Sequence, residues 1–174
     1  MNHPAARAAA IDLLLLDVDG VLTDGRVTYT DAGDEVKRFH VRDGSGLKIW
    51  HALGKRTAVI SGRTSRAVER RATELGIAPV LQGRSDKLAA FRDLLAEVNL
   101  PAERVCAVGD DLPDLPVLVR CGLGVAVADA CPEVREVAHH TTTAAGGAGA
   151  VREVVEWLLA LRGEWDGVVK GFRA

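Results

Sequence analysis

The chain has 174 residues, of which 48% are apolar and 26% charged, with a formal net charge of −2. That length suits one domain with an adequate core, and the near-neutral charge excludes the basic surface by which a protein grips nucleic acid or an anionic membrane. Three cysteines, Cys106, Cys121 and Cys131, lack metal-ligand spacing, and their odd number fits a reducing, cytoplasmic setting better than a disulfide framework.

Residues 1–10 are Ala-rich and read as a flexible leader. Residues 11–16 form an apolar run, interrupted by Asp12 and stopping at Asp17. The run is too short to span a membrane and suits a central strand buried on both faces. Two β-rich runs, 27–30 and 36–41, flank Asp31, Ala32, Gly33 and Asp34 and predict a hairpin insert over about 27–41. Residues 47–53 read as helix and 57–60 as a buried strand. Thr64 is placed to cap a helix that runs to Leu75 and stops at Gly76. After a brief strand at 80–81, residues 87–98 carry Leu88, Phe91, Leu95 and Val98 on one helical face. A strand over 105–108 ends at Gly109, and 112–119 reads as helical despite Pro113 and Pro116. A strand at 125–128 and a helix over 149–161 complete the pattern, and 163–174 reads as a weakly patterned tail.

Strands alternating with helices predict an α/β fold, a doubly wound, Rossmann-like parallel sheet over residues 11–162. Right-handed crossovers then gather the strand C-terminal ends on one edge, where ligands bind. Three clusters fall there: Asp17 with Asp19, then Ser61, Gly62 and Arg63, then Asp110, Asp111 and Asp114. A carboxylate straight after a buried strand is costly unless a charge meets it, and converging carboxylates repel one another. A hard divalent cation with oxygen ligands relieves that repulsion. Asp is also a competent nucleophile for a phosphoryl group, and Asp19 is placed to protonate the leaving oxygen and then activate water. Ser61 and Gly62, between a strand and a helix N-terminus, make an anion cradle. Lys87 opens a helix, where a cation is disfavoured unless an anion is bound. Each of these signals alone is more often, or as often, a cap, a turn or a solvated side chain. Together they predict a metal-dependent phosphatase, with a non-catalytic module on the same fold as the alternative from another class.

Asp17, Val18, Asp19 and Gly20, then Ser61, then Lys87, then Gly109 through Asp114 match in order the four motifs of the haloacid dehalogenase superfamily, which the chain resembles. The acid at Asp19 marks the phosphatases within it. A narrower resemblance, from Ile11 to about Trp165, is to the branch that acts on 3-deoxy-D-manno-octulosonate 8-phosphate. It rests also on Arg42, Asp43 and Gly44, on Arg63, and on the runs 82–87, 125–130 and 149–153. The resemblance implies a minimal hairpin cap, a magnesium cofactor and a homotetramer whose hairpins meet. It implies metal ligation by Asp17, the Asp19 backbone carbonyl and Asp110, with Asp111 and Asp114 behind them. Ser61 and Lys87 would hold phosphate. The segment His40, Val41, Arg42, Asp43 and Gly44, with Lys48, Arg63 and Arg71, would hold the sugar acid. His40, Ser45 and Ala148 depart from that branch's pattern in segments facing the sugar, which leaves another sugar acid phosphate, such as a nine-carbon keto-sugar acid 9-phosphate, as an alternative substrate.

Overall fold

The computed structural model describes residues 4–173. Along the chain, helix α1 (Pro4–Ala10) leads to strand β1 (Leu13–Leu16), then to the short strands β2 (Thr28–Tyr29) and β3 (Glu35–Val36). Helix α2 (Val41–Ala52) precedes β4 (Arg56–Ile60), α3 (Arg66–Leu75), β5 (Val80–Leu81) and α4 (Lys87–Val98). The second half holds β6 (Val105–Gly109), α5 (Leu115–Leu118), β7 (Leu123–Ala126), α6 (Pro132–Val137), β8 (His140–Thr141), α7 (Ala150–Leu161) and α8 (Trp165–Gly171).

Six strands form one parallel sheet in the order β5-β4-β1-β6-β7-β8. All four leucines of β1 are buried, as a central strand covered on both faces requires. The chain lays β4 and β5 to one side of β1 and then β6, β7 and β8 to the other, so the winding reverses between β1 and β6. Leu16 lies opposite Val108 across that boundary. Asp17 and Asp110 therefore emerge side by side at the switch point, where open α/β sheets bind ligands. The hairpin strands form a separate antiparallel pair, with Thr28 opposite Val36. Among the described residues, no helix is long and apolar enough to cross a membrane.

Several elements differ from the sequence reading. Residues 4–10 are not a loose leader but α1, with Ala8 fully buried. Alanine favours helix, and Arg162 Nη1 caps its end by donating to the carbonyls of Ala8 and Ala9 at 2.9 and 3.0 Å. Residues 1–3 of the leader lie outside the described residues. The tail likewise forms α8, where the Trp165 ring lies beneath the Arg152 guanidinium, 5.3 Å from its centre. The hairpin's second run stops early, because Val41 already opens α2 and extended His40 precedes it as the cap. Gly44 and Gly46 thus lie within α2, where they let neighbouring side chains approach the helix closely. A Cβ on Gly46 would meet Arg152 of α7 at 3.0 Å, and one on Gly44 would meet Arg71 of α3 at 2.4 Å. Ser65, not Thr64, occupies the N-cap position of α3, without a side-chain cap hydrogen bond, and Gly76 ends the helix in the left-handed conformation at φ 71°. In α4 Phe91 is buried and Leu95 and Val98 pack partly against the core, as the stripe predicts, but Lys87, Ala90 and Leu94 are buried beside them while Leu88 is not part of the core, a rotation that carries Lys87 inward.

Candidate active site

Asp17 leaves β1 with its N–H donating to the Val108 carbonyl at 3.2 Å, which locks it against β6. Its carboxylate is nearly buried, and Lys87 Nζ meets its Oδ1 at 2.9 Å. The same ammonium reaches Asp114 Oδ1 at 2.6 Å. The other oxygen of Asp114 accepts from the N–H groups of Asp110 and Asp111 at 3.1 and 3.4 Å. Asp111 is exposed and closes a capping box with Asp114 over the 3-10 turn Leu112–Asp114. The third neighbour, Asp110, comes close only because position 20 is glycine. Gly20 sits at φ 97°, and a Cβ there would lie 2.0 Å from Asp110 Oδ2.

The electrostatics follow from this crowding. Burial, then the Asp114 carboxylate, raise the Asp17 pKa to about 6 despite the opposing pull of Lys87. Burial, with Asp17 and Asp114 adding to it, pushes Asp110 up to about 8. Burial alone would lower the Lys87 pKa, but the carboxylates of Asp17 and Asp114 outweigh it, so the ammonium is held firmly charged.

Oxygens of Asp17, Asp110 and Asp114 lie within 4.8 Å of one another. Asp110 Oδ1 is buried without a hydrogen-bond partner. An orphaned carboxylate oxygen beside two more carboxylates fits a hard divalent cation. Both oxygens of Asp114 are already engaged, so Asp17 and Asp110 are the side chains left to ligate. Asp114 is thus the anchor of Lys87 as well as a neighbour of the ligands, a role that motif matching alone does not disclose.

The remaining predicted residues divide. Ser61 is buried at the end of β4, where its Oγ accepts from the Arg63 N–H at 3.3 Å, and Gly62 beside it is exposed. With Asp17, Asp19, Arg63 and Lys87 they line a cleft of about 540 Å³. Arg63 Nε lies 3.9 Å from Asp19 Oδ2, while its Nη2 donates to Glu35 Oε1 at 3.1 Å and to the Tyr29 hydroxyl at 3.4 Å. The other expected sugar contacts do not gather there within one chain. Arg42 lines a separate hollow with Ala148 and Arg152. Val41 is 81% exposed. Asp43 is buried and accepts from the Arg152 N–H at 2.8 Å, capping α7. Gly44 is filled by Arg71, whose guanidinium pairs with Glu74 at 3.3 Å and lies over Phe39. Lys48 faces a groove against Val168 and Phe172, on the α8 side. His40 packs by Gly149 with its Nδ1 buried and unpartnered.

Sequence reasoning also missed Glu35 and Lys37. Lys37 Nζ forms an ion pair with Asp19 Oδ1 and lies 3.3 Å from Glu35 Oε1. The signal was there in the alternation of Glu35, Lys37 and Phe39 along one extended arm, with Val36 and Arg38 exposed between them.

A model of haloacid dehalogenase-like hydrolases matches residues 74–154. The 3-deoxy-D-manno-octulosonate 8-phosphate phosphatases of Salmonella typhi and of Escherichia coli K12 are 47% and 48% identical to the chain. Those alignments cover 95% and 92% of this chain and 88% and 86% of theirs. The Moraxella catarrhalis phosphatase of that name, solved with a magnesium ion, a phosphate ion and a KDO molecule, aligns with a TM-score of 0.94 at 40% identity over 97% of each chain. A probable phosphatase from Pseudomonas syringae aligns with the same TM-score at 49% identity, over 98% of this chain and 97% of its own. Identity near one half, sustained over nearly the whole length of both partners, leaves no room for a merely shared fold: the chain belongs to the 3-deoxy-D-manno-octulosonate 8-phosphate phosphatase family of haloacid dehalogenase-like hydrolases.

Proposed function

We propose that the chain hydrolyses 3-deoxy-D-manno-octulosonate 8-phosphate to 3-deoxy-D-manno-octulosonate and phosphate through an aspartyl-phosphate on Asp17. The observation that carries this is Asp17 held by buried Lys87 in a cleft that Asp19 also lines. The Asp17 oxygen not bound to Lys87 attacks phosphorus in line. The bond to the sugar oxygen breaks, its electrons stay on that oxygen, and Asp19 gives it a proton. Asp19 then takes a proton from water as the water oxygen attacks phosphorus. The phosphorus–Asp17 bond breaks and the carboxylate returns. Ser61, the Gly62 N–H and Lys87 hold the phosphate. Asp17, Asp110 and the Asp19 carbonyl would hold magnesium, which supplies charge neutralisation at the phosphoryl oxygens. Arg63 is the surplus cation in the cleft, and its planar fork suits the carboxylate of a sugar acid.

The cleft is open in a single chain, and an open site weakens electrostatic catalysis. The hairpin presents Val27, Tyr29 and Val36 to solvent. We assign these side chains to contacts between copies in a homotetramer, to which Arg42, Lys48 and Arg71 bring cations that do not reach their own chain's cleft.

The test is phosphate release from 3-deoxy-D-manno-octulosonate 8-phosphate, a nine-carbon keto-sugar acid 9-phosphate and neutral sugar phosphates, with magnesium and with chelator. The eight-carbon acid should give the highest kcat/KM, and chelator should abolish turnover. Preference for a neutral sugar phosphate, or full activity in chelator, would sink the reading.

A further inference from the structure

Given that Asp19 is the acid and base of this reaction, we infer that Lys37, on the hairpin arm, is the residue that positions it. The side chain of Lys37 is only 2% exposed although it comes from a two-stranded ribbon whose neighbouring positions face solvent. A buried ammonium is tolerated only where anions meet it, and here they are Asp19 Oδ1 and Glu35 Oε1. Glu35 in turn accepts from Arg63, whose Nε faces the other oxygen of Asp19 at 3.9 Å. The four groups close a ring in which each carboxylate lies between two cations.

The distribution of strength around that ring is what assigns the role. The hairpin is also tied to the body by the Glu35–Arg63 pair, by the Arg63–Tyr29 hydrogen bond and by Phe39 packed against the core. Lys37 is a further link between hairpin and body, and it ends on the one carboxylate that must pass protons in both halves of the reaction. The terminal torsion of an aspartate is broad and nearly two-fold, so its carboxylate takes its orientation from its strongest partner. Arg63, at 3.9 Å and with a 44% exposed side chain, is a weak second. Proton transfer needs its donor within hydrogen-bond reach, and a displacement of about 1 Å costs on the order of a hundredfold in rate. Lys37 therefore fixes where Asp19 stands, while Ser61 and Lys87 bind the phosphate without it.

The experiment compares wild type, Lys37→Met, Lys37→Arg and Asp19→Asn as full chains with magnesium, by kcat and KM on 3-deoxy-D-manno-octulosonate 8-phosphate. It adds stopped-flow release of p-nitrophenolate from p-nitrophenyl phosphate, whose leaving oxygen needs no proton. Lys37→Met should lose roughly 10- to 100-fold in kcat, part of what an acid/base group supplies, with KM nearly unchanged. Lys37→Arg should recover most of that loss. With the activated ester, Lys37→Met should release one p-nitrophenolate per site in a burst and then turn over slowly, because water activation still depends on a placed Asp19. Circular dichroism melts establish that each variant is folded, and Lys37→Gln replaces Lys37→Met if the latter is not. Wild-type kcat in a folded variant, a loss that appears in KM instead, or slow turnover without a burst would overturn the assignment. An inactive wild type would instead overturn the phosphatase reading beneath it, and a fully active Asp19→Asn would overturn the acid/base role of Asp19 on which the inference rests.

Discussion

Replacing Lys87 with Met tests how the cluster at the switch point is held together. Lys87 is 7% exposed and is the cation that meets both Asp17, at 2.9 Å, and Asp114, at 2.6 Å. Removing one partner from a buried ion pair costs about 3–5 kcal/mol. The upper end is bounded, because a stranded carboxylate can take up a proton. Holding one protonated at pH 7 costs about 4 kcal/mol, roughly three units at about 1.36 kcal/mol each. At roughly 2–4 °C per kcal/mol for a chain of this size, Tm should fall by about 10 °C. The assay is thermal melting of both proteins in chelator at pH 5 and pH 8. Without Lys87, folded Asp17 keeps its proton well above the pH at which the unfolded chain releases it. The folded variant then binds more protons than the unfolded one, and its stability falls as pH rises. Wild-type Asp17, raised only to about 6, follows the same sign over a shorter range. The gap between the two proteins should therefore be narrow at pH 5 and wide at pH 8. A loss under about 3 °C, or a gap independent of pH, would show that solvent rather than Lys87 neutralises Asp17.

Three further outcomes follow from the same geometry. Asp17→Asn should lose nearly all turnover while still melting cooperatively, since the replacement is almost isosteric, Asp114 still meets Lys87 and the proposed nucleophile is gone; rates and melts together decide it. In metal-free wild type, Asp17 and Asp110, raised to about 6 and about 8, hold protons that the unfolded chain has lost, so Tm should fall from pH 5 to pH 8. Magnesium should then raise Tm more at pH 8 than at pH 5, because at the lower pH it competes with those protons. Gly20→Ala should abolish magnesium-induced stabilisation, since its Cβ would lie 2.0 Å from Asp110 Oδ2 at a φ of 97°.

The sheet and its loaded edge were legible because their signals are local. The β1 run stops at Asp17 and β6 stops at Gly109, and a parallel sheet must then bring their ends together. Helix α4 was placed to the residue, but its rotation was not. Apolar spacing alone favoured the Leu88 face, whereas the fold turns Lys87 inward to meet two aspartates that are distant in sequence. Asp43 looked like part of a ligand loop for the same kind of reason. Its partner, the Arg152 N–H, lies 109 positions away, and no local pattern announces such a pair. Lys37 was passed over because a lysine on a hairpin is ordinarily solvated. Its burial depends on where the whole ribbon folds back.

The segment after β8 shows how the fold separates what must stay fixed from what can vary. Gly147 donates to the Val21 carbonyl at 3.0 Å, and the Gly146 N–H is held by Asp129 Oδ1 at 2.9 Å. A Cβ on Gly146 would collide with the Gly20 carbonyl at 1.7 Å. Glu153 of α7 secures the start of the segment by accepting from Thr143 and Ala144 N–H groups at 2.8 and 2.9 Å. A run so rich in glycine and threonine reads as a flexible loop, yet here the glycines permit backbone to press on backbone. What it presses on is the turn that carries Asp17 and Asp19, so the clasp stiffens the chemistry directly. Ala148 stands in the middle of this clasp but points away from it, exposed, into the hollow beside Arg42. A side chain at 148 can therefore be exchanged without moving Asp17. The lining of the hollow beside Arg42 is thus mechanically separate from the turn that carries Asp17 and Asp19.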